Sequence, residues 1–343
     1  MLSVVVDSPN SMAVREVPLP VPAAGEVRVR VRYAGICGSD LHIFHGKNPF
    51  VTYPRIIGHE FVGRIETIGA GVDAERLGQT VAVDPVISCG RCHACSIGRR
   101  NVCRDLTVIG VHRDGGFSQY VCVPADNAYR IPVEIADTCA AIVEPFAVAA
   151  NATSRTGVLP SDIALIFGAG TVGLTLLQVL KRVYGIRAFI TDRLEERLQL
   201  ARACGALEDE VIDASIERLP EALARRGVDG GPTLIFDAVG YPAILEEAVK
   251  LAAPAGRIGV LGFSSEPSAI VQAELTKKEL TLAASRLNCA MFPQVIEWIG
   301  RGLIEPEHIV THKIDFRQVA QAFEQAEQRP AESCKILLDF TAM

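Results

Sequence analysis

Two short motifs near the start of the chain bring together side chains that bind metals and move protons. The first, Gly-Ile-Cys-Gly-Ser-Asp-Leu-His, supplies the thiol of Cys37, the hydroxyl of Ser39 and the imidazole of His42. The second, Gly-His-Glu, adds the imidazole of His59 and the carboxylate of Glu60. Zinc accepts sulfur, nitrogen and oxygen donors together, and a catalytic zinc keeps one coordination position open. The stretch therefore predicts a catalytic metal site with groups that can relay a proton.

A second metal motif consists of four cysteines with the spacing C-x2-C-x2-C-x7-C, at Cys89, Cys92, Cys95 and Cys103. Four thiolates so close in sequence suit a tetrahedral zinc site without an open position, which is a structural arrangement. An iron–sulfur cluster or unrelated thiols are the alternatives, although neither of the ferredoxin spacings is met.

Glu144 is a carboxylate among apolar neighbours at the point where Pro145 can begin a helix. Burying a carboxylate without a partner is costly. The alternative is an exposed carboxylate at a helix N-terminus, which the helix dipole favours. We prefer a functional role because the flanking residues are so apolar.

The stretch from residue 162 to residue 192 predicts a dinucleotide-binding unit. A short apolar strand leads into a G-x-G-x-x-G loop and a helix, and Asp192 ends the next strand. Glycines in this context let the backbone approach a pyrophosphate at the helix N-terminus. The positions expected to contact the cofactor are Gly168, Gly170, Thr171, Val172 and Gly173. Asp192 should hydrogen-bond a ribose hydroxyl and favour NAD over NADP, and Arg193 would soften that preference.

The arrangement of apolar segments divides the chain into two kinds of structure. Many short alternating strands with glycine turns in the first third predict an irregular β-barrel. From about residue 150 to residue 286, strands alternate with helices, which predicts a parallel sheet covered by helices. Two strands near the C-terminus are expected to return to the first domain.

The overall composition excludes several classes of function. The chain has 343 residues and a formal net charge of -6, so a general nucleic-acid surface and attraction to anionic membranes are both disfavoured. The N-terminus lacks a signal-peptide pattern, and no apolar run approaches the ~20 residues of a membrane helix. We therefore expect a cytoplasmic protein whose ten cysteines are thiols.

In order and spacing, Gly58-His59-Glu60, the four-cysteine lobe, Val143-Glu144-Pro145 and the Gly168–Gly173 loop resemble the zinc-dependent medium-chain alcohol and polyol dehydrogenases. The resemblance covers the whole chain and implies an α/β fold with two domains. The first would be a GroES-like β-barrel catalytic domain of residues 1–149 and 287–343, with a structural zinc lobe at 89–103. The second would be a Rossmann NAD-binding domain of residues 150–286, with a doubly wound parallel sheet.

The resemblance also implies the roles of individual residues. Cys37 and His59 would hold the catalytic zinc, and Glu60 and Glu144 compete for the third ligand position. Ser39 would touch the substrate alcohol, and His42 would be the outer proton acceptor. With the structural zinc this makes two zinc ions per chain, together with NAD, a small-molecule alcohol substrate and a homodimer or homotetramer.

The substrate is expected to be a secondary alcohol of a sugar acid or polyol that is oxidised to a ketone, most specifically L-gulonate oxidised at C5. A sugar acid would need a cation for its carboxylate. The candidate substrate contacts are Arg286, Asn288, Arg113 and Lys335. L-Threonine or a sorbitol-type polyol is the alternative within the same enzyme class. A catalytically silent NAD-sensing protein is the alternative of another class, and the intact metal and dinucleotide motifs argue against it.

Overall fold

A computed structural model describes residues 1–342, which divide into two compact units. The first unit contains Met1–Ala147, Asn288–Arg301 and the segment that starts at Val310. The second unit contains Val148–Leu287 and Gly302–Ile309.

Strands predominate in the first unit, whereas strands and helices alternate in the second. The strands are β1 (Leu2–Ser8), β2 (Ser11–Glu16), β3 (Glu26–Gly35), β4 (Arg55–Ile56), β5 (Glu60–Ile68), β6 (Thr80–Val83), β7 (Val86–Ile87), β8 (Thr107–Val108), β9 (Tyr120–Pro124), β10 (Ala128–Arg130), β11 (Ile163–Phe167), β12 (Arg187–Asp192), β13 (Val211–Asp213), β14 (Leu234–Asp237), β15 (Arg257–Val260), β16 (Thr281–Ala284), β17 (Val310–Asp315) and β18 (Lys335–Asp339). The helices are α1 (Gly38–Phe44), α2 (His93–Ser96), α3 (Asp137–Ala140), α4 (Val143–Thr156), α5 (Thr171–Gln178), α6 (Glu195–Ala203), α7 (Leu219–Arg225), α8 (Pro242–Leu251), α9 (Gln272–Lys278), α10 (Phe292–Gly300) and α11 (Val319–Gln328).

The main sheet of the first unit has the order β10-β6-β5-β3-β18-β17, and β9 also pairs with β3. The alternating sequence of β3 places Val27, Val29 and Val31 in the core with no exposed surface. Arg30 and Arg32 face solvent, which confirms the predicted half-buried strand. At the end of β3, Gly35 is paired with Glu60 on one side and with Leu337 on the other. This position brings β5 and β18 to the same end of the sheet.

The sheet of the second unit is parallel throughout and has the order β13-β12-β11-β14-β15-β16. Counted from β11, this is the order 3-2-1-4-5-6 of a doubly wound dinucleotide-binding fold. Helices cover the sheet, and one core cluster includes Leu165, Phe189, Ile235 and Ile258. The predicted parallel α/β architecture is confirmed.

Residues 302–309 lie with the second unit, although the sequence led us to assign them to the first domain. The side chain of Gln178 donates to the carbonyl oxygen of Glu305 at 3.0 Å and accepts its N–H at 2.7 Å. Arg182 also pairs with the Glu305 carboxylate at 2.8 Å. These contacts join residues 123 and 127 positions apart, so no local pattern could have revealed them.

Within the described part of the chain, no helix combines the length and the apolar character that crossing a membrane would require.

Candidate functional site

The structure brings Cys37, His59 and Glu60 together at one end of the sheet in the first unit. Cys37 lies between β3 and α1, His59 lies directly before β5, and Glu60 is the first residue of β5. One ligand atom from each lies within 4.8 Å of the others. His59 is 6% exposed and Glu60 is 1% exposed. A thiol, an imidazole and a carboxylate that converge in this way form a donor set that suits zinc.

A buried carboxylate orients the imidazole of His59. Asp40 accepts the backbone N–H of Cys37 at 2.9 Å through Oδ2, and its Oδ1 faces His59 Nδ1 at 3.5 Å. Neither Oδ1 of Asp40 nor Nδ1 of His59 has a hydrogen-bond partner among the described residues. With Nδ1 turned to the carboxylate, Nε2 is presented as the ligand atom, which is the usual arrangement behind a metal-bound histidine. The residues present therefore fit a metal ion.

The charges around His59 also fit a cation at this place. Burial alone would lower the pKa of His59, but Asp40 and then Cys37 outweigh burial and hold that pKa well above its usual value. The pocket thus favours a positive charge, which the proton supplies when no metal is bound. Our sequence reasoning missed Asp40. The available signal was its place three residues after Cys37, the N-cap of α1, where an acidic side chain closes a capping box.

Lys335 binds Glu60 and does not offer a cation to a substrate, so our expectation for Lys335 was wrong. Its Nζ donates to Oε1 and Oε2 of Glu60 at 2.9 and 2.6 Å and to the carbonyl oxygen of Ile36 at 2.9 Å. The side chain of Lys335 is only 1% exposed. Burial alone would lower the pKa of Lys335, but the charge of Glu60 outweighs it and the pKa is raised, so Lys335 stays charged.

Glu144 is 5% exposed in the first turn of α4 and belongs to the same charged environment. Burial raises the pKa of Glu144 to about 8; the charge of His59 opposes this shift, and that of Glu60 adds to it. Glu144 is not among the three side chains whose ligand atoms converge within 4.8 Å in the described residues. A carboxyl group that holds its proton near neutral pH would release it readily beside a bound cation.

The two predicted proton-transfer residues lie on α1. Ser39 donates its hydroxyl to Cys37 Sγ at 3.3 Å and lies 3.4 Å from Nε2 of His59, so it sits directly between two ligand atoms. His42 follows one helical turn later, on the same face of α1, and its side chain is exposed. The helix thus carries one group at the site and one at the solvent boundary.

The other candidate substrate contacts differ in their surroundings. The guanidinium of Arg113 binds Glu26 at 2.8 Å and the carbonyl oxygen of Cys122 at 3.0 Å, so its charge is balanced within the chain, contrary to our expectation. Asn288 is completely buried and donates to the carboxylate of Asp84 at 3.1 Å. Arg286 is half-buried, and its contact with the substrate stays a prediction.

The four cysteines of the lobe converge as a second donor set. The Sγ of Cys103 lies 3.4 Å from that of Cys89 and 3.8 Å from that of Cys92, and the Cys92 and Cys95 sulfurs are 3.5 Å apart. Tetrahedral zinc with bonds of about 2.3 Å requires sulfur–sulfur distances of about 3.8 Å. All four cysteines are free thiols, so no disulfide competes for them.

The thiols of the lobe differ in how readily they ionise. Backbone N–H groups, first that of Arg104, lower the pKa of Cys92 to about 6 and so favour a thiolate. The backbone N–H of Cys89 alone would lower the pKa of Cys103, but burial and the Cys89 thiol outweigh it and raise that pKa to about 11. A divalent ion would stabilise all four sulfurs as thiolates.

The glycine loop of the second unit has the space that a pyrophosphate needs. Gly168 has φ +92°, a conformation that favours glycine. A Cβ on Gly173 would lie 1.8 Å from the carbonyl oxygen of Gly168, so a side chain there would separate the loop from α5. A Cβ on Gly170 would meet no heavy atom within 4 Å, and Thr171 and Val172 begin α5 beside this open space. The loop therefore fits a phosphate at the helix N-terminus.

Asp192 is held next to this loop by backbone donors. Its Oδ2 accepts the N–H of Ala169 at 2.8 Å, and its Oδ1 accepts those of Arg193 and Leu194 at 2.7 and 3.1 Å. The guanidinium of Arg197 lies 3.8 Å away. The carboxylate is thereby fixed at the end of β12, where a dinucleotide fold places the acid that binds the ribose.

Comparison with known proteins gives consistent matches over nearly the whole chain. Residues 23–133 match the alcohol dehydrogenase GroES-like domain, and residues 171–301 match the zinc-binding dehydrogenase domain. The starvation-sensing protein RspB of Escherichia coli K12 is 51% identical over 99% of this chain and 100% of its own length. The L-galactonate-5-dehydrogenase of the same strain is 31% identical, with 97% of each chain covered.

A solved structure shows the same similarity in three dimensions. The crystal structure of an alcohol dehydrogenase (rspB) from E. coli CFT073, complexed with the cofactor NADH, superposes with a TM-score of 0.95. That protein is 50% identical to this chain, and 99% of each chain is covered.

Proposed function

Because the chain belongs to the zinc-type alcohol dehydrogenases, with a GroES-like and a zinc-binding dehydrogenase domain, we propose that it oxidises a secondary alcohol of a sugar acid to a ketone with NAD as the hydride acceptor. The single observation that carries the reaction type is the convergence of Cys37, His59 and Glu60 within 4.8 Å. Asp40 behind His59 supports the same assignment.

Cys37 and His59 are the proposed ligands of the catalytic zinc, and Glu60 or Glu144 completes the set. When bound, zinc supplies Lewis acidity that lowers the pKa of a substrate hydroxyl, and NAD supplies a hydride acceptor. The four cysteines at 89–103 would hold a second zinc that has no open position and stabilises the lobe.

Ser39 is the proposed acceptor of the substrate's hydroxyl proton. Its own hydroxyl can accept one proton while it donates another, as its place between Cys37 and His59 requires. His42, exposed at the C-terminal end of the same helix, would pass the proton to solvent. Glu144 offers a second route, because a carboxylate in the same charged environment as His59 and Glu60 can accept a proton when it does not bind the metal ion.

NAD is the proposed cofactor, and Asp192 is the proposed reason for its preference over NADP. A carboxylate fixed at the end of β12 would bind the ribose hydroxyls and repel a 2′-phosphate. Gly168, Gly170 and Gly173, with the backbone of the first turn of α5, would contact the pyrophosphate.

The sugar-acid substrate, with L-gulonate as the specific candidate, is supported by the half-buried Arg286 and by a relative that is an L-galactonate-5-dehydrogenase. A screen of NAD reduction with aldonates, neutral polyols and L-threonine tests it. We expect Arg286→Ala to raise the KM for aldonates at least about tenfold and to leave that for neutral polyols unchanged. Equal changes for both classes would refute the role of Arg286.

Metal analysis combined with turnover tests the reaction type. The purified chain should contain two zinc ions, and Cys37→Ala should retain one zinc and lose NAD reduction. A Cys37→Ala variant that keeps two zinc ions and full turnover would refute the proposal. A wild-type chain that binds NAD tightly but does not reduce it with any of the alcohols would favour the NAD-sensing alternative.

We also propose that the enzyme is a cytoplasmic homodimer or homotetramer. The cytoplasm is supported by the ten cysteines, none of which forms a disulfide in the described residues, as is usual in a reducing compartment. The oligomer is supported by β16, which ends the sheet of the second unit with Leu282 38% exposed. Light scattering of the purified chain measures the assembly, and a monomer would refute it.

A further inference from the structure

Lys335 uses all three of its N–H donors in hydrogen bonds at the edge of the candidate metal site. An ammonium group has three N–H donors, and those of Lys335 go to the two carboxylate oxygens of Glu60 and the carbonyl oxygen of Ile36. Ile36 directly precedes Cys37, so one side chain holds both the backbone beside one proposed ligand and the carboxylate of another. A single positive charge near Glu60 would be enough to neutralise the buried carboxylate, whereas Lys335 also forms a hydrogen bond with the backbone next to Cys37.

The sheet leaves space for the Glu60–Lys335 pair at Gly35, where β3 ends. Glu60 starts β5 and Lys335 starts β18, and the two side chains meet across the end of β3 at Gly35. A Cβ on Gly35 would lie 2.4 Å from Oε2 of Glu60 and 3.3 Å from Cδ of Lys335. The pair therefore depends on a residue without a side chain at this one position.

Two groups compete for the carboxylate of Glu60. One of its oxygens lies within 4.8 Å of the ligand atoms of Cys37 and His59, while both oxygens accept hydrogen bonds from Lys335. A carboxylate shared with an ammonium group is a weaker ligand, because part of its charge is already neutralised. Without Lys335, the buried carboxylate would have only the metal ion to neutralise it.

We propose that Lys335 is a positioning residue that restrains Glu60, so that this carboxylate does not become a permanent ligand and one coordination position stays open for the substrate alcohol. The inference rests on the proposed function and deepens it. A residue that merely supported the metal site would have the opposite effect, since loss of such support lowers metal affinity about 10- to 100-fold. The restraint model predicts that loss of Lys335 raises metal affinity and closes the open position.

The experiment uses the full chain with Co²⁺ in the catalytic site, because the visible absorption of Co²⁺ reports its coordination. Imidazole is the probe for an open position. In Lys335→Met we expect imidazole to bind at least about tenfold more weakly than in the wild type, and a chelator to remove the metal at least about tenfold more slowly. Lys335→Arg keeps a buried cation with N–H donors and should bind imidazole within about threefold of the wild type.

A second variant decides the question even where Lys335→Met does not fold. In Glu60→Gln the carboxylate is absent, and a chain in which Lys335 already restrains Glu60 gains no open position from its loss, so imidazole should bind no more tightly than in the wild type. A gain of about tenfold or more in Glu60→Gln would show that Glu60 occupies the position in the wild type and would overturn the inference.

Two further outcomes would also overturn it. One is a folded Lys335→Met chain that binds imidazole as the wild type does, and the other is a folded Lys335→Met chain that loses its catalytic metal. A wild-type chain that holds only one metal ion would instead refute the proposed function itself. Metal content per chain, measured on every variant, separates these results.

Discussion

Oδ1 of the buried Asp40 lies 3.5 Å from Nδ1 of His59, while its Oδ2 accepts the N–H of Cys37 at 2.9 Å. One carboxylate thus orients two proposed metal ligands that are 22 residues apart in the sequence. The same side chain also closes the first turn of α1, which carries Ser39. Metal binding and the placement of the proton acceptor are therefore coupled through Asp40.

Asp40→Asn should weaken the catalytic metal site selectively. The amide is neutral, so it no longer polarises the imidazole of His59, and we expect about 10- to 100-fold lower metal affinity. Competition with a zinc indicator measures this. The four-cysteine zinc serves as the internal control, and its equal loss would indicate general misfolding.

Cys92→Ser should remove the zinc from the four-cysteine lobe and destabilise the chain. Structural zinc contributes directly to folding, and a loss of about 3 kcal/mol in a chain of this size lowers the Tm by roughly 4 °C. Calorimetry and metal content report the result. Cys122→Ser is a suitable control, since Cys122 lies outside the lobe, and it should retain both zinc ions. An unchanged Tm in Cys92→Ser would contradict a structural metal.

Glu144 should make the metal-free chain less stable as the pH rises. The pKa of Glu144 in the folded chain is about 8, raised mainly by burial from a usual value of 4.5. Its contribution to the free energy of unfolding is therefore complete below pH 4.5 and is lost as the pH rises through 8. The loss amounts to a few kcal/mol at pH 9. Urea unfolding of the chelator-treated wild type and Glu144→Gln at pH 6 and pH 9 measures the difference. Parallel pH dependence in the two chains would exclude Glu144 as its source.

Asp192→Ala should shift the cofactor preference toward NADP. Loss of a charge-assisted hydrogen bond to the ribose lowers kcat/KM for NAD about 10- to 100-fold, while removal of the negative charge relieves repulsion of a 2′-phosphate. The ratio of kcat/KM for the two cofactors is the measurement. Glu195→Ala, one turn further along the chain, is the control and should keep the wild-type ratio.

Gly35→Ala should destabilise the first unit, because the new Cβ would lie 2.4 Å from the carboxylate of Glu60. Overpacking of a buried site costs about 1–3 kcal/mol. Gly38→Ala is a matched control three residues later, where a Cβ meets no heavy atom within 4 Å. Denaturant unfolding should separate the two variants, and equal stability would show that the Glu60–Lys335 pair moves aside at no cost.

Much of the fold was predictable from the sequence because its signals are periodic or local. The alternation in β3 predicted a half-buried strand, and the strand–glycine loop–helix order before Asp192 predicted the parallel dinucleotide-binding sheet. The assignment of residues 302–309 failed because it depends on the side chain of Gln178, far away in the sequence.

By itself, the sequence determined which chemical groups are present and where short-range spacing brings them together. The four cysteines lie within fifteen residues, so chain connectivity alone confines their sulfurs to one lobe. Only the tertiary structure decided what Lys335 does, because its partner Glu60 is 275 positions away and meets it across β3. The sequence does not distinguish a charged side chain that faces solvent from one that faces a buried carboxylate. The pairing of β5 and β18 with β3 determines which of the two applies to Lys335.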